Sequence, residues 1–164
     1  MPLTGFCVAW SVWAEASTVL VSSDGSAYFF GEQWDEFYDQ QGRGLEYMPP
    51  RGIRYIDVGC GMSHVVLICS DGTATAVIAA GHLDYYETLL PEREEWFAIP
   101  HLPLCRRYHS VACGREPTVL IRDDGVAVAL GPNDEGECEI RDPGYADGVR
   151  YVAAACGENC TFLF

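Results

Sequence analysis

Thr118-Val-Leu-Ile-Arg-Asp-Asp124-Gly125-Val-Ala-Val-Ala-Leu-Gly131 is two short apolar runs joined by an Asp-Gly pair and closed by a glycine. Apolar residues rich in Val, Ile, Leu and Ala, in runs too short for a helix, read as β-strands. Asp-Gly between such runs is the strongest local hairpin signal. The expected connection is a type I′ turn with positive φ at both central residues, which glycine adopts freely and aspartate tolerates. The same phrase occurs earlier as Thr18-Val-Leu-Val-Ser-Ser-Asp24-Gly25-Ser-Ala-Tyr-Phe-Phe-Gly31 and as Val65-Val-Leu-Ile-Cys-Ser-Asp71-Gly72-Thr-Ala-Thr-Ala-Val-Ile78. The Asp-Gly pairs stand 47 and 53 residues apart, a period that marks a stacked or circular repeat architecture.

Upstream, Cys60-Gly61 and Cys113-Gly114 each lie 11 residues before their Asp, and Cys156-Gly157 opens a further copy that runs into Thr161-Phe-Leu-Phe164. In the first copy the same spacing falls on Trp13-Ala14. The chain therefore divides into repeats at about 5–40, 53–90 and 107–142, with half a repeat at about 149–164, all in one domain of 164 residues. The strands are near-continuously apolar, so both faces of each small sheet should be buried, as when blades stack face to face. A compact sandwich would also bury them, but it does not explain the period.

The turn residues Asp24, Gly25, Asp71, Gly72, Asp124 and Gly125 have a structural reading. The aspartates start turns and no second carboxylate pairs with them consistently, so they are not expected to hold a metal. Gly61, Gly114 and Gly157 are expected at points of close backbone approach.

These residues together resemble the repeats of the regulator of chromosome condensation family: an apolar strand into Cys-Gly, another strand, Asp-Gly, a further strand, then Gly-x-Asn-x-x-Gly. The third copy matches best, through Val111-Ala-Cys113-Gly114, Asp124-Gly125 and Gly131-Pro-Asn133-Asp-Glu-Gly136. The second matches through Val58-Gly-Cys60-Gly61 and His64, but its closing glycine, Gly81, is displaced to 10 residues after Asp71 rather than 7. The resemblance implies an all-β fold, a partial or open β-propeller of stacked antiparallel hairpin blades; the connections 32–53 and 82–107, longer than the family's tight joins, are loop insertions with room for short helices. Closed propellers have about four to eight blades, and three and a half repeats do not close the family's ring of about seven.

Composition narrows function. Hydrophobic residues make up 49% and charged residues 21%, the balance of a globular chain. No run approaches the roughly 20 apolar residues of a membrane helix, and residues 1–16 lack the basic start of a signal peptide. With 24 acidic against 10 basic residues the net charge is −14. Such a surface repels phosphate backbones, which excludes nucleic acid and favours a protein partner with a basic surface or a place in a larger assembly.

Eight cysteines form no CxxC, and the closest pair, Cys156 and Cys160, has no Cys or His cluster to complete four ligands. Reduced, mostly buried thiols are expected, in an intracellular reducing compartment. Neither cofactor nor metal is expected.

No catalytic motif is present: no GxSxG, HExxH, GxxxxGK[ST] or GxGxxG. His64 reads as a hydrogen-bonding group between blades, and His109 as surface. A Cys113–His109 nucleophile pair is disfavoured because close neighbours on one strand do not orient each other. The chain reads as a non-catalytic protein–protein interaction scaffold, a peripheral accessory subunit. The candidate partner-binding residues are Trp34, Phe37 and Tyr38 in the connection 32–53, and Tyr85, Tyr86, Trp96 and Phe97 in the connection 82–107. Aromatic residues dominate interface energetics and loops carry function. Relatives in the resembled family suggest an alternative, a regulatory module such as a small-GTPase exchange factor or the substrate-recognition part of a ubiquitin ligase. The terminal stretches near Cys7-Val-Ala-Trp10 and Thr161-Phe-Leu-Phe164 are expected to leave sheet edges that a partner covers.

Overall fold

The structure, a computed structural model, describes residues 6–9, 18–30, 46–62, 64–78, 98–140, 150–158 and 160–164. Among these every element is a strand. The first sheet is an antiparallel meander of β1 (Phe6–Ala9), β2 (Thr18–Ser22), β3 (Ala27–Phe30) and β4 (Glu46–Tyr47). The second comprises β5 (Tyr55–Cys60), β6 (His64–Cys69) and β7 (Ala74–Ile78), and the third β8 (Tyr108–Cys113), β9 (Thr118–Arg122) and β10 (Ala127–Leu130). The last is the hairpin β11 (Ala154–Cys156) and β12 (Thr161–Leu163).

Each Asp-Gly pair joins the second and third strands of its sheet, in the same register: Val21↔Ala27, Ile68↔Ala74 and Ile121↔Ala127. The first-copy alignment needs correction. Ala9 pairs with Val19, whereas Gly59 and Ala112 stand opposite the equivalent Val66 and Val119. By this register Ala9 takes the place of Gly59 and Ala112, four residues before Trp13. Spacing from the turn misplaces it because 10 residues separate the paired Ala9 and Val19, whereas 7 separate Gly59 and Val66. Residues Trp13 and Ala14 lie outside the described residues.

The sheets pack on one another in chain order, and this explains the apolar strands. Central β6 is buried at every position, because Val65, Leu67 and Cys69 face the first sheet while Val66 and Ile68 face the third. β2 alternates instead: Val19 and Val21 are buried against the second sheet, and Thr18, Leu20 and Ser22 are half-buried. Among the described residues β2 has a neighbouring blade on one side only, and period 2 returns there. Tyr47 of the short β4 stacks on Tyr55 at 6.0 Å and meets Phe29 edge-on at 5.9 Å, so part of the 32–53 connection belongs to the core.

Candidate functional site

One rim of the stack is built by the Asp-Gly turns. Each is a three-residue loop rather than the expected type I′ turn. Gly25, Gly72 and Gly125 donate to the carbonyls of Ser22, Cys69 and Arg122, all at 2.9 Å, and only the glycines have positive φ, at +91°, +88° and +81°. This is a type I turn followed by a left-handed glycine, the three-residue alternative that also suits the strand twist. The aspartates stay right-handed because their carboxylates accept the N–H two residues on, from Ser26 and Thr73 at 2.9 Å and Val126 at 3.3 Å.

Those bonds hold the carboxyl pKa of Asp24 below its ordinary value, chiefly through the Ser26 N–H, and that of Asp71 chiefly through the Thr73 hydroxyl. At Asp124 burial pushes upward, but the Arg122 hydrogen bond, the Val126 N–H and the charges of Arg122 and Arg106 outweigh it.

Each turn is locked by the following blade. The carbonyl of Gly25 accepts the Tyr55 N–H at 2.9 Å, that of Gly72 accepts Tyr108 at 2.8 Å, and that of Gly125 accepts Tyr151 at 3.1 Å. The preceding arginine lies over the glycine: a Cβ on Gly25, Gly72 or Gly125 would stand 2.8, 3.0 or 3.0 Å from the Cα of Arg54, Arg107 or Arg150. Arg-Tyr therefore recurs, with a cysteine five residues after each tyrosine, at Cys60, Cys113 and Cys156. This Arg-Tyr pair is legible in the sequence as a third periodic signal, one that the Asp-Gly and Cys-Gly spacings did not include.

The opposite rim is joined by the links after the first strands. Met62 N–H donates to Arg115 O at 2.9 Å, Arg115 N–H to Gly157 O at 3.2 Å, and the Arg115 guanidinium pairs with Glu158. His64, fully buried, bonds Thr118 of the next blade at 2.7 Å, as expected for a group between blades. Its ring occupies the space a side chain on Gly61 would need, while a Cβ on Gly114 would run into the carbonyl of Gly157. His109 is exposed on a bulge between Tyr108 and Ser110, and the same bulge follows Tyr55. In the second sheet the residue after the bulge, Asp57, reaches across to accept the Val111 N–H at 3.2 Å, and its pKa is raised by burial.

Cys60, Cys113 and Cys156 occupy equivalent places along the stack, and burial pushes all three thiols up, Cys60 to about 12 and Cys156 to about 11. Such thiols are poor nucleophiles. Cys60, Cys69, Cys105, Cys113, Cys138, Cys156 and Cys160 are free thiols. Among the described residues no group of three or more His, Cys, Asp or Glu side chains is placed to hold a metal, and no helix is long and apolar enough to cross a membrane.

Trp34, Phe37, Tyr38, Tyr85, Tyr86, Trp96 and Phe97 all lie outside the described residues. Two described parts of the same connections do reach solvent. Met48 is exposed beside β4, and Leu104, 96% exposed, tips a tight turn closed by Arg106 N–H to Pro103 O at 3.1 Å. Cys105 at this tip has φ +65°, a conformation non-glycine residues rarely adopt. The turn is anchored on both sides, by Arg106 to Asp124 at 3.1 Å and by the Tyr108 hydroxyl donating to Pro100 O at 3.2 Å. Further along, Glu135, Glu137 and Glu139 line a groove with Tyr151 and Leu163.

Solved structures share this arrangement. Human WBSCR16 superposes with a TM-score of 0.65 at 14% identity, over 96% of this chain and 44% of that one. Prp20p from Saccharomyces cerevisiae, the yeast RCC1, gives 0.64 at 13% identity, over 93% and 41%. The fold is that of the regulator of chromosome condensation repeat. It is a partial β-propeller, and the chain spans less than half the length of either structure. The CRINKLY ectodomain of the Arabidopsis thaliana receptor kinase ACR4 is also similar, with a TM-score of 0.53 at 14% identity, over 93% of this chain and 43% of that one. The same fold thus serves outside cells too, so it does not set a compartment. No family model matches the chain, and no curated protein matches it in sequence.

Proposed function

We propose that this chain is a non-catalytic protein–protein interaction scaffold and an accessory subunit of a larger complex. The supporting observation is Leu104: an almost fully exposed apolar side chain on a turn that its own bonds hold in an uncommon conformation. A rigid apolar tip loses little conformational freedom on docking, which is what an anchor residue requires. The connection aromatics Trp34, Phe37, Tyr38, Tyr85, Tyr86, Trp96 and Phe97 complete the proposed surface. The net charge of −14 and the acid-lined groove by Tyr151 favour a basic protein as partner. Prp20p, similar in fold, has been characterised for binding to Gsp1p and histones and crystallised with Kap60, which favours protein partners for this chain also. Free cysteines with raised thiol pKa values favour a reducing, intracellular setting.

Affinity capture with the intact chain, a Leu104→Ser variant and a variant with Trp34, Phe37 and Tyr38 replaced by Ser tests the proposal. The expected outcome is loss of partners from one or both variants, with folding unchanged by circular dichroism. Partners recovered equally from all three would refute it. A regulatory exchange role predicts accelerated nucleotide release from a small GTPase, which the scaffold reading does not.

A further inference from the structure

Residues 46–55 and 99–108 are the same strap built twice, 53 positions apart. Each contains a tight turn, closed by Ile53 N–H to Pro50 O at 2.9 Å and by Arg106 N–H to Pro103 O at 3.1 Å. Cys105, at φ +65°, stands where the first strap has Gly52 at +85°. The tyrosines that follow are equivalent too. Tyr55 and Tyr108 are both buried, and each donates its N–H to the glycine carbonyl of the preceding blade's turn.

The two straps differ in what they pack against their sheets. In the first, Tyr47 stacks on Tyr55 at 6.0 Å and meets Phe29 edge-on at 5.9 Å. Register puts Ala76 in the place of Phe29, since Val66 pairs with Ala76 as Val19 pairs with Phe29. Spacing puts Pro100 in the place of Tyr47. Two aromatic rings thus give way to a methyl group and a proline. Ile99 and Leu102 pack toward Tyr108 and recover part of the lost contact. The remainder is a cleft of about 440 Å³, lined chiefly by Thr73, Ala74, Ile99, Leu102 and Tyr108, a size typical of ligand pockets. Tyr108 makes no ring contact among the described residues. It is held at both ends, by its N–H on Gly72 O at 2.8 Å and by its hydroxyl on Pro100 O at 3.2 Å, so this wall is fixed.

One lip of the cleft carries a positive charge. Arg107 is exposed, its stem lies along Gly72, and it makes no ion pair among the described residues, whereas Arg106 and Arg122 are both engaged by Asp124. The Asp71 carboxylate on the same turn accepts both the N–H and the hydroxyl of Thr73.

We propose that this cleft takes an aromatic side chain of a partner protein, with a neighbouring carboxylate of the partner reaching Arg107. The ring occupies a space that the chain fills for itself one blade earlier. Aromatic side chains bring a large apolar area with few rotatable bonds to immobilise. The protein source rests on the scaffold reading above, whereas the cleft and its preference for a ring do not. The partner charge called for is opposite to that suited by the acid-lined groove at Tyr151, so the two sites are distinct.

Methyl-resolved NMR of the 164-residue chain, titrated with the peptide acetyl-Gly-Tyr-Asp-Gly-amide, tests this. Saturable shifts are expected at Ala74, Ile99 and Leu102. Replacing the peptide's Tyr by Leu should weaken binding about tenfold, and replacing its Asp by Lys about two- to fivefold. Ala76→Phe and Pro100→Tyr each restore one ring of the first blade's arrangement. Each should weaken the peptide about tenfold with strand signal by circular dichroism intact. The peptide comparisons use the unaltered chain, so they decide even where a filled variant misfolds. Absence of saturable shifts overturns the proposal, as does equal binding of the Leu peptide or undiminished binding by both folded variants. Saturable shifts with p-cresol and none with the peptide overturn the protein source; the Leu104 anchor, judged by affinity capture, stands or fails separately.

Discussion

Replacing Gly72 by alanine tests whether the Asp-Gly turns are where the blades lock together. Two costs add. The residue sits at φ +88°, and holding an L-residue in the left-handed region costs about 1–2 kcal/mol. The new Cβ would also stand 2.5 Å from the Cβ and 3.0 Å from the Cα of Arg107, so it must displace backbone of the next blade, an overpacking cost of about 1–3 kcal/mol. That displacement also strains the bond from Tyr108 N–H to Gly72 O. Gly52 is the internal control. It sits at φ +85° with nothing within 4 Å of its added Cβ, so Gly52→Ala carries only the backbone term. The loss of unfolded-state entropy is common to both and cancels in the comparison. At roughly 2–4 °C per kcal/mol for a chain of this size, Gly52→Ala should lower Tm by about 2–8 °C and Gly72→Ala by about 4–20 °C. Urea denaturation followed by circular dichroism would give the same difference as about 1–3 kcal/mol. If the two variants lose equal stability, the Arg-Tyr lock contributes nothing and the account of the rim is wrong.

Thr118→Val preserves shape but removes the hydroxyl that bonds buried His64, and should cost about 1–3 kcal/mol in chemical denaturation; a loss below a few tenths would deny the inter-blade bond its role. Asp57, with its folded pKa raised by burial, binds its proton more tightly in the folded chain than in the unfolded one. Its contribution to stability therefore falls as pH rises from the unfolded value near 3.9 to its raised folded value, and Asp57→Asn should remove that downward slope. Asp24 and Asp71, with lowered values, act in the opposite sense: their stabilisation is present above the unfolded value and fades as pH falls through the folded one. Ellman titration of the native chain at pH 8 should label Cys105 and Cys160, which are exposed, well before Cys60, Cys69 or Cys113, whose thiol pKa values burial raises. Rapid labelling of Cys60 would contradict the packed stack.

What the residues determined on their own was the repeating unit. Apolar runs about Asp24-Gly25, Asp71-Gly72 and Asp124-Gly125 became hairpins in one register, because strand pairing and tight turns depend on contacts a few residues apart. The buried role of His64 and the exposed place of His109 were legible for the same reason, each being fixed by its position in a repeat.

Tertiary structure decided what neighbours do to one another. The glycine carbonyls are claimed by tyrosines of the next blade, and Asp57 reaches Val111 across a sheet boundary. The left-handed residue is confined to glycine because the aspartate carboxylate caps a following N–H, a choice local propensity leaves open. Strand β1 pairs with β2 earlier in the chain than spacing implied, since the separation of paired residues is free to differ between copies without disturbing the ladder. A sequence spells out each blade through short-range forces, whereas which faces are covered is set by how many blades stand beside one another, and that is a property of the stack.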